Sequence, residues 1–203
     1  MKVHQVEVGN MQNFTYVVED EQTRQAIVID PSWDLEKIND IIQRNNLSVK
    51  YIVNTHYHFD HTIGNDAMAK QTGAKIIQYA TSEIKHDIKV SDGDKIKFGS
   101  SELLVVYTPG HSKDSMCLVG DGKIFSGDTL FVGTCGRVDL PGGSARELYY
   151  SLVHTLRKMD DNLIVYPGHN YGHVPISTLG EQKKMNLVMQ PRTEEEFLEL
   201  MGR

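Results

Sequence analysis

The chain has 203 residues, enough for one large domain with a substantial core. Its 39% hydrophobic and 24% charged residues are those of an ordinary soluble globular protein and exclude a disordered or low-complexity chain. The net charge of −6 comes with no basic stripe, which argues against nucleic-acid binding as the main task.

No apolar run is long enough to span a membrane, and Met1-Lys2-Val3-His4-Gln5 lacks the apolar core of a secretion signal. Two cysteines, Cys117 and Cys135, do not make a disulfide framework, so the cytosol is the expected compartment.

Val3–Val8, Asn13–Val18 and Gln25–Ile29 read as three short strands with tight connections, an antiparallel meander closed by Asp30-Pro31. Asp34 is placed to cap a helix to about Arg44, with Leu35, Ile38, Ile41 and Ile42 on one face. Val49–Val53 is a buried strand. It delivers Thr55-His56-Tyr57-His58-Phe59-Asp60-His61, a pattern that chance would produce in only about one such chain in a thousand. Neutral imidazole and carboxylate are ligands that Zn²⁺ and Fe²⁺ prefer. Alternate positions do not share a helical face, so a loop leaving the strand end is expected to present these groups.

Asn65–Thr72 reads as a helix stopped at Gly73, and Lys75–Tyr79 as a strand. Lys95–Phe98 and Leu103–Tyr107 form a hairpin around Gly99-Ser100, ending in Thr108-Pro109-Gly110-His111. A second hairpin, Met116–Val119 and Lys123–Ser126, ends at Gly127-Asp128. Ser144 caps a helix to about Lys158, with Glu147 completing a capping box. Leu163–Tyr166 is a strand terminating in Pro167-Gly168-His169, and helical patterns at Thr178–Met185 and Thr193–Met201 close the chain.

Strands therefore end repeatedly in a loop carrying His or Asp. Five His and two Asp suffice for two metals: His56, His58 and His111 at one, Asp60, His61 and His169 at the other, with Asp128 between. His4, His86 and His154 lack this context, and His173 is a weaker outer candidate. Cys135 is expected to be a buried structural thiol.

The segments T-H-Y-H-F-D-H at 55–61, T-P-G-H at 108–111, S-G-D-T at 126–129 and P-G-H at 167–169 resemble, in this order, those of the metallo-β-lactamase superfamily. Within it the chain is most similar to the glyoxalase II (hydroxyacylglutathione hydrolase) group, which includes persulfide dioxygenases. The resemblance implies an α/β (α+β) fold, an αβ/βα four-layer sandwich of two mixed β-sheets flanked by helices, with the site along one edge. Asp128 stands where true class B β-lactamases usually have cysteine and counts against a lactamase. The resemblance also implies that Arg137, in Cys135-Gly136-Arg137, clamps a substrate carboxylate, and that the Tyr171 phenol contacts the glutathione backbone. Asp139, however, stands where glyoxalase II generally has tyrosine. The 34 residues after His169 are too few for its C-terminal helical domain, so residues 1–203 are expected to be a single metallo-β-lactamase-like domain.

The expected activity is metal-dependent hydrolysis of a thioester, of hydroxyacylglutathione or another 2-hydroxyacyl-thiol. A hydroxide bridging two divalent ions, zinc foremost with iron or mixed zinc and iron as variants, would attack the carbonyl. Asp60 is expected to orient it as the catalytic carboxylate. The alternative is a mononuclear iron persulfide dioxygenase using His56, His111 and Asp128. The expected partner is a small-molecule thioester or thiol-derived substrate, without nucleic acid or membrane, and a homo-oligomer is possible.

Overall fold

In the computed structural model, which describes residues 1–191 and 193–202, twelve strands form two six-stranded mixed sheets. The first contains β1 (Lys2–Val8), β2 (Asn13–Glu19), β3 (Gln25–Ile29), β4 (Ser48–Val53), β5 (Lys75–Tyr79) and β6 (Ile88–Val90), side by side in that order. Strands β1 to β3 are the expected antiparallel meander, and β3 to β6 run parallel. The second sheet contains β7 (Lys95–Phe98), β8 (Ser101–Tyr107), β9 (Met116–Gly120), β10 (Lys123–Gly127), β11 (Ile164–Pro167) and β12 (Ser177–Thr178). Its one parallel pair is β10 with β11.

Side chains alternate across each strand, and in both sheets each face is covered, so the central strands read as nearly continuous apolar runs. From β2 and β3, Phe14, Tyr16, Val18, Ile27 and Ile29 point to the core between the sheets. There they meet Phe98, Leu103, Met116, Leu118 and Phe125 of the second sheet. Val17, Ala26 and Val28 point the other way, to α1 (Leu35–Arg44). That helix delivers Leu35, Ile38, Ile41 and Ile42 to the outer core, as its periodicity predicts. On the second sheet's outer face Cys117, Ile124 and Val165 pack against the C-terminal helices. Helix, sheet, sheet, helix is the four-layer architecture.

Four local expectations are corrected. The motif after β4 is not all loop: Phe59–Thr62 forms a one-turn helix, α2, too short to leave a periodic signature. The three-residue β6 falls below the same limit. Asp34 precedes α1 in a left-handed conformation and makes no side-chain cap; its carboxylate instead accepts from the Gly9 amide at 3.2 Å and from Lys37 at 2.8 Å. Ser144 does cap its helix, accepting from the Glu147 amide at 3.2 Å, but the reciprocal half of the box is replaced. The Ser144 amide donates to the Gly110 carbonyl at 2.7 Å, tying the helix to the His111 loop.

That helix is also not uniform. After α3 (Asn65–Thr72) and α4 (Ala145–Tyr149), it continues as a π-helical segment, Tyr150–Thr155, then a 3₁₀ turn, Leu156–Lys158. Within the π segment the Ser151 hydroxyl donates to the Pro109 carbonyl at 2.6 Å. The chain ends in α5 (Leu179–Met185), where Thr178 and Glu181 make a full capping box, and α6 (Glu194–Leu200), capped by Thr193.

The two sheets are stapled at the end away from the motif by Asp20. Its buried carboxylate accepts from the Thr23 hydroxyl (2.5 Å), the Ser100 amide (2.8 Å) and the Ser100 and Ser101 hydroxyls (2.9 and 3.1 Å). The Thr23 hydroxyl, followed by the Ser100 and Ser101 donors, holds this carboxyl well below the usual range although burial opposes it. Asp20→Ala is therefore expected to cost about 2–3 kcal/mol in urea unfolding at pH 7. Because the folded-state pKa is depressed, that contribution is complete above the unfolded value of about 3.9 and is lost as pH falls below it. An unchanged unfolding midpoint at pH 7 would refute the staple.

Candidate metal centre

Each candidate ligand is carried by the end of a strand. The end of β4 supplies His56 and His58, and the turn of α2 supplies Asp60 and His61. The loops after β8, β10 and β11 supply His111, Asp128 and His169. Because β10 and β11 are parallel neighbours, Asp128 and His169 emerge side by side. The two sheets are joined at this edge by the Phe14 amide donating to Gly168 (2.8 Å) and the Met116 amide donating to Thr55 (2.9 Å).

Two glycines make the approach possible. Gly110 has φ 135° and lies so near Leu148 that a Cβ would sit 2.2 Å from the backbone nitrogen. At Gly168 a Cβ would sit 2.2 Å from Asp128 Oδ1.

Two of the resulting clusters match the expected ones. Donor atoms of His56, His58 and His111 lie within 4.8 Å of one another, as do those of Asp60, His61 and His169. His58 Nδ1 faces His111 Nε2 at 2.9 Å, and His61 Nε2 faces His169 Nε2 at 3.2 Å. Asp128 lies between them, its oxygens 3.4 Å from His61 Nε2, 3.3 Å from His169 Nε2 and 3.5 Å from His111 Nε2. All seven groups are brought together.

Chain groups behind the cluster orient it. His111 Nδ1 meets the Arg137 carbonyl at 2.7 Å and His169 Nδ1 the Met11 carbonyl at 2.9 Å. Asn13 donates to the Asp60 carboxylate at 2.9 Å and to its carbonyl at 3.0 Å. Asp30 accepts from the Thr55 amide (2.7 Å) and hydroxyl (2.6 Å) and lies 3.1 Å from His61 Nδ1. Asp30 also forms a third three-donor group with His56 and His61. Sequence reasoning took Asp30 only as a strand stop and gave Asn13 no role. Asp30 fits the same pattern of acidic or imidazole groups at strand ends, whereas nothing local distinguishes Asn13.

The donor set suits divalent cations. His56 Nε2 and Asp128 Oδ1 are buried and make no hydrogen bond. Burial, with His61 beside it, holds the His56 imidazole well below its ordinary pKa. Burial and His111 push His58 down to about 4, so both rings keep free lone pairs. Burial acts the same way on His61 and His169, but there the Asp128 charge prevails, raising His61 and lifting His169 to about 9. Asp60 and Asp128 are held ionised against burial by these imidazoles. The ionised Asp60 and Asp128 with the neutral rings of His56 and His58 alongside are donors for a divalent cation, and a cation there would displace the protons that the carboxylates favour on His61 and His169.

The cluster opens into a cavity of about 760 Å³ lined by His58, Asp60, His111, Asp128 and His169 together with Met11, Phe59, Phe131, Arg137 and Tyr171. Arg137 reaches this rim but is gripped by Asp139 through two 2.6 Å hydrogen bonds. Tyr171 stacks on His169, ring centroids 4.6 Å apart, and donates to the Met11 carbonyl at 3.2 Å. Cys135 also lines the cavity, and burial pushes its thiol up to about 12, which keeps it protonated and unreactive. His173 and His154 are exposed and belong to none of these groups; His4 pairs with Glu19 at 3.1 Å. Among the described residues no helix is long and apolar enough to cross a membrane.

The chain is similar to known proteins over most of its length. The chain is 38% identical to a hydroxyacylglutathione hydrolase of Polaromonas sp., over 84% of this chain and 67% of that protein. It is 32% identical to the human mitochondrial persulfide dioxygenase ETHE1, over 93% and 76%. The crystal structure of ETHE1 from Myxococcus xanthus superposes with a TM-score of 0.92 at 32% identity, covering 100% of this chain and 91% of that one. The profile of the metallo-beta-lactamase superfamily matches residues 8–81 and 78–169. With this fold and these strand-end groups, the chain belongs to the metallo-β-lactamase superfamily.

Proposed function

We propose that the protein is a metal-dependent thioester hydrolase, acting as one domain on a small-molecule acyl-thiol. What supports this most is that two complete three-donor clusters stand side by side with Asp128 within 3.3–3.5 Å of imidazoles from both. Divalent ions, held by His56, His58 and His111 on one side and by Asp60, His61 and His169 on the other, with Asp128 shared, would supply an acidified water and a Lewis acid for charge developing on the carbonyl.

The chain's own residues do the rest. Asn13 donates to Asp60 Oδ2 and fixes that carboxylate, which as an ionised acceptor orients the O–H of the attacking nucleophile. The Arg137 and Met11 carbonyls hold the imidazoles of His111 and His169 in register. Phe131 and Tyr171, packed edge to face at 5.4 Å, wall the cavity beside His169 and limit water there. A departing thiolate is stable enough to leave without a proton donor.

A second reading is carried by the likeness to persulfide dioxygenase ETHE1. In it His56, His111 and Asp128 would hold a single iron with coordination positions left open. Metal content and oxygen uptake separate the two. Two divalent ions per chain, thioester turnover and no oxygen consumption with a persulfide are expected; one iron per chain with rapid oxygen uptake overturns the hydrolase reading.

Asp60→Asn and His58→Ala are each expected to lower kcat/KM by about 10²–10⁴-fold with the circular dichroism spectrum unchanged. Full activity in either would sink the proposal. Asn13→Ala should weaken metal affinity by about 10–100-fold, read by competition with a chelator, because it releases Asp60 without removing a donor.

A further inference from the structure

Beyond the five candidate ligands, the cavity wall is mostly apolar: Met11, Phe59, Phe131, Leu140, Pro141 and Tyr171 contribute to it. Arg137 is the one charged side chain among its other described lining residues, and Asp139 accepts from two of its five N–H donors. The wall therefore offers a bound molecule mostly apolar area and one cation that is already ion-paired.

The apolar surface does not stop at the cavity. Helix α2 buries Asp60 and His61 toward the candidate metal cluster, and the same turn forces Phe59 and Ile63 outward. They are 62% and 57% exposed, and four residues apart they lie on one face. Trp33 packs edge-on against Phe59, ring centroids 6.2 Å apart, and gives that face a fixed backing. Two large side chains left in water, Phe59 on the cavity wall and Ile63 one turn beyond it, carry a hydration cost that an apolar ligand segment would relieve.

We infer that the substrate carries an uncharged, straight apolar chain, which leaves the cleft past Met11 and Phe59 and lies along the Phe59–Ile63 face of α2. This rests on the thioester reading for the reacting group alone. The chain is either the acyl group or a substituent of the thiol, since both leave the reacting carbon through the same mouth. A compact, highly charged thiol would have to compete with Asp139 for the one cation among the lining residues other than the candidate ligands.

Trp33 is the only tryptophan, so its emission reports on this face without any turnover. The probe is a series of 2-(alkylthio)ethanols from propyl to octyl, which contain the chain but no scissile carbonyl, titrated into the metal-loaded protein. The expected result is a Trp33 emission change whose Kd falls about two- to fourfold per methylene, the fold-change that burying part or all of a CH₂ produces. In Phe59→Ser and in Ile63→Ser, both at exposed positions, the length dependence should flatten. A Kd independent of chain length in the unsubstituted protein overturns the inference.

Two turnover series then identify which side bears the chain, one lengthening the acyl group on a fixed thiol and one the thiol on a fixed acyl group. A rise of kcat/KM with length in either series supports the inference, and flat series on both sides overturn it. Length-dependent binding with no turnover of any thioester leaves this inference standing and removes the hydrolase reading instead.

Discussion

Asp30 is a buried carboxylate at the end of β3, and much of the cleft depends on what it holds. By accepting from both the amide and the hydroxyl of Thr55, it sets the direction in which the chain leaves β4. By standing 3.1 Å from His61 Nδ1, it fixes that ring and turns Nε2 toward Asp60, Asp128 and His169. A charge-assisted contact of this kind, screened from water, is both strong and directional. Its removal would leave a buried imidazole and a buried hydroxyl without their partner, which is why a residue that contributes nothing to the cavity wall still governs its chemistry.

The second constraint is the seam between the sheets. One sheet supplies four candidate groups within six consecutive residues, and the other supplies three from separate loops. Neither of the two clusters that Asp128 lies between is complete on one sheet, because each of the two takes donors from both. Asp20 staples the sheets at one end, and the Thr55–Met116 and Phe14–Gly168 backbone bonds join them at the cleft. The metal chemistry therefore depends on the core between the sheets as much as on the ligands themselves. Phe14, Phe125 and their neighbours set the distance across which imidazoles from opposite sheets meet.

The turn of α2 links the inner chemistry to the outer surface. One helical turn cannot point four side chains the same way, so burying Asp60 and His61 places Phe59 and Ile63 in solvent. An apolar ledge beside the cleft follows from the ligand geometry. Arg137, ion-paired with Asp139, stands on the same rim.

Much of this was readable from residue order. The strands of both hairpins, the meander and the amphipathic α1 carry strong local patterns, and the histidine-rich motif is too improbable to be incidental. Strand-end position also picked out His111, Asp128 and His169. The sequence could not reveal Asn13 reaching Asp60 47 positions away, Asp30 gripping Thr55, or the Met11 and Arg137 carbonyls behind the imidazoles. These are contacts between segments remote in the chain, made by common residue types whose partners exist only after the sheets have packed. Arg137 shows the same limit: the resemblance of its segment implied a carboxylate clamp, and the hydrogen bonds it makes to Asp139 are seen only in the fold. Residue types and spacing by themselves determined which atoms could bind metal. Only the tertiary structure decided how those atoms are oriented, neutralised and exposed, because orientation and charge state are set by neighbours that packing, not sequence proximity, brings within hydrogen-bond distance.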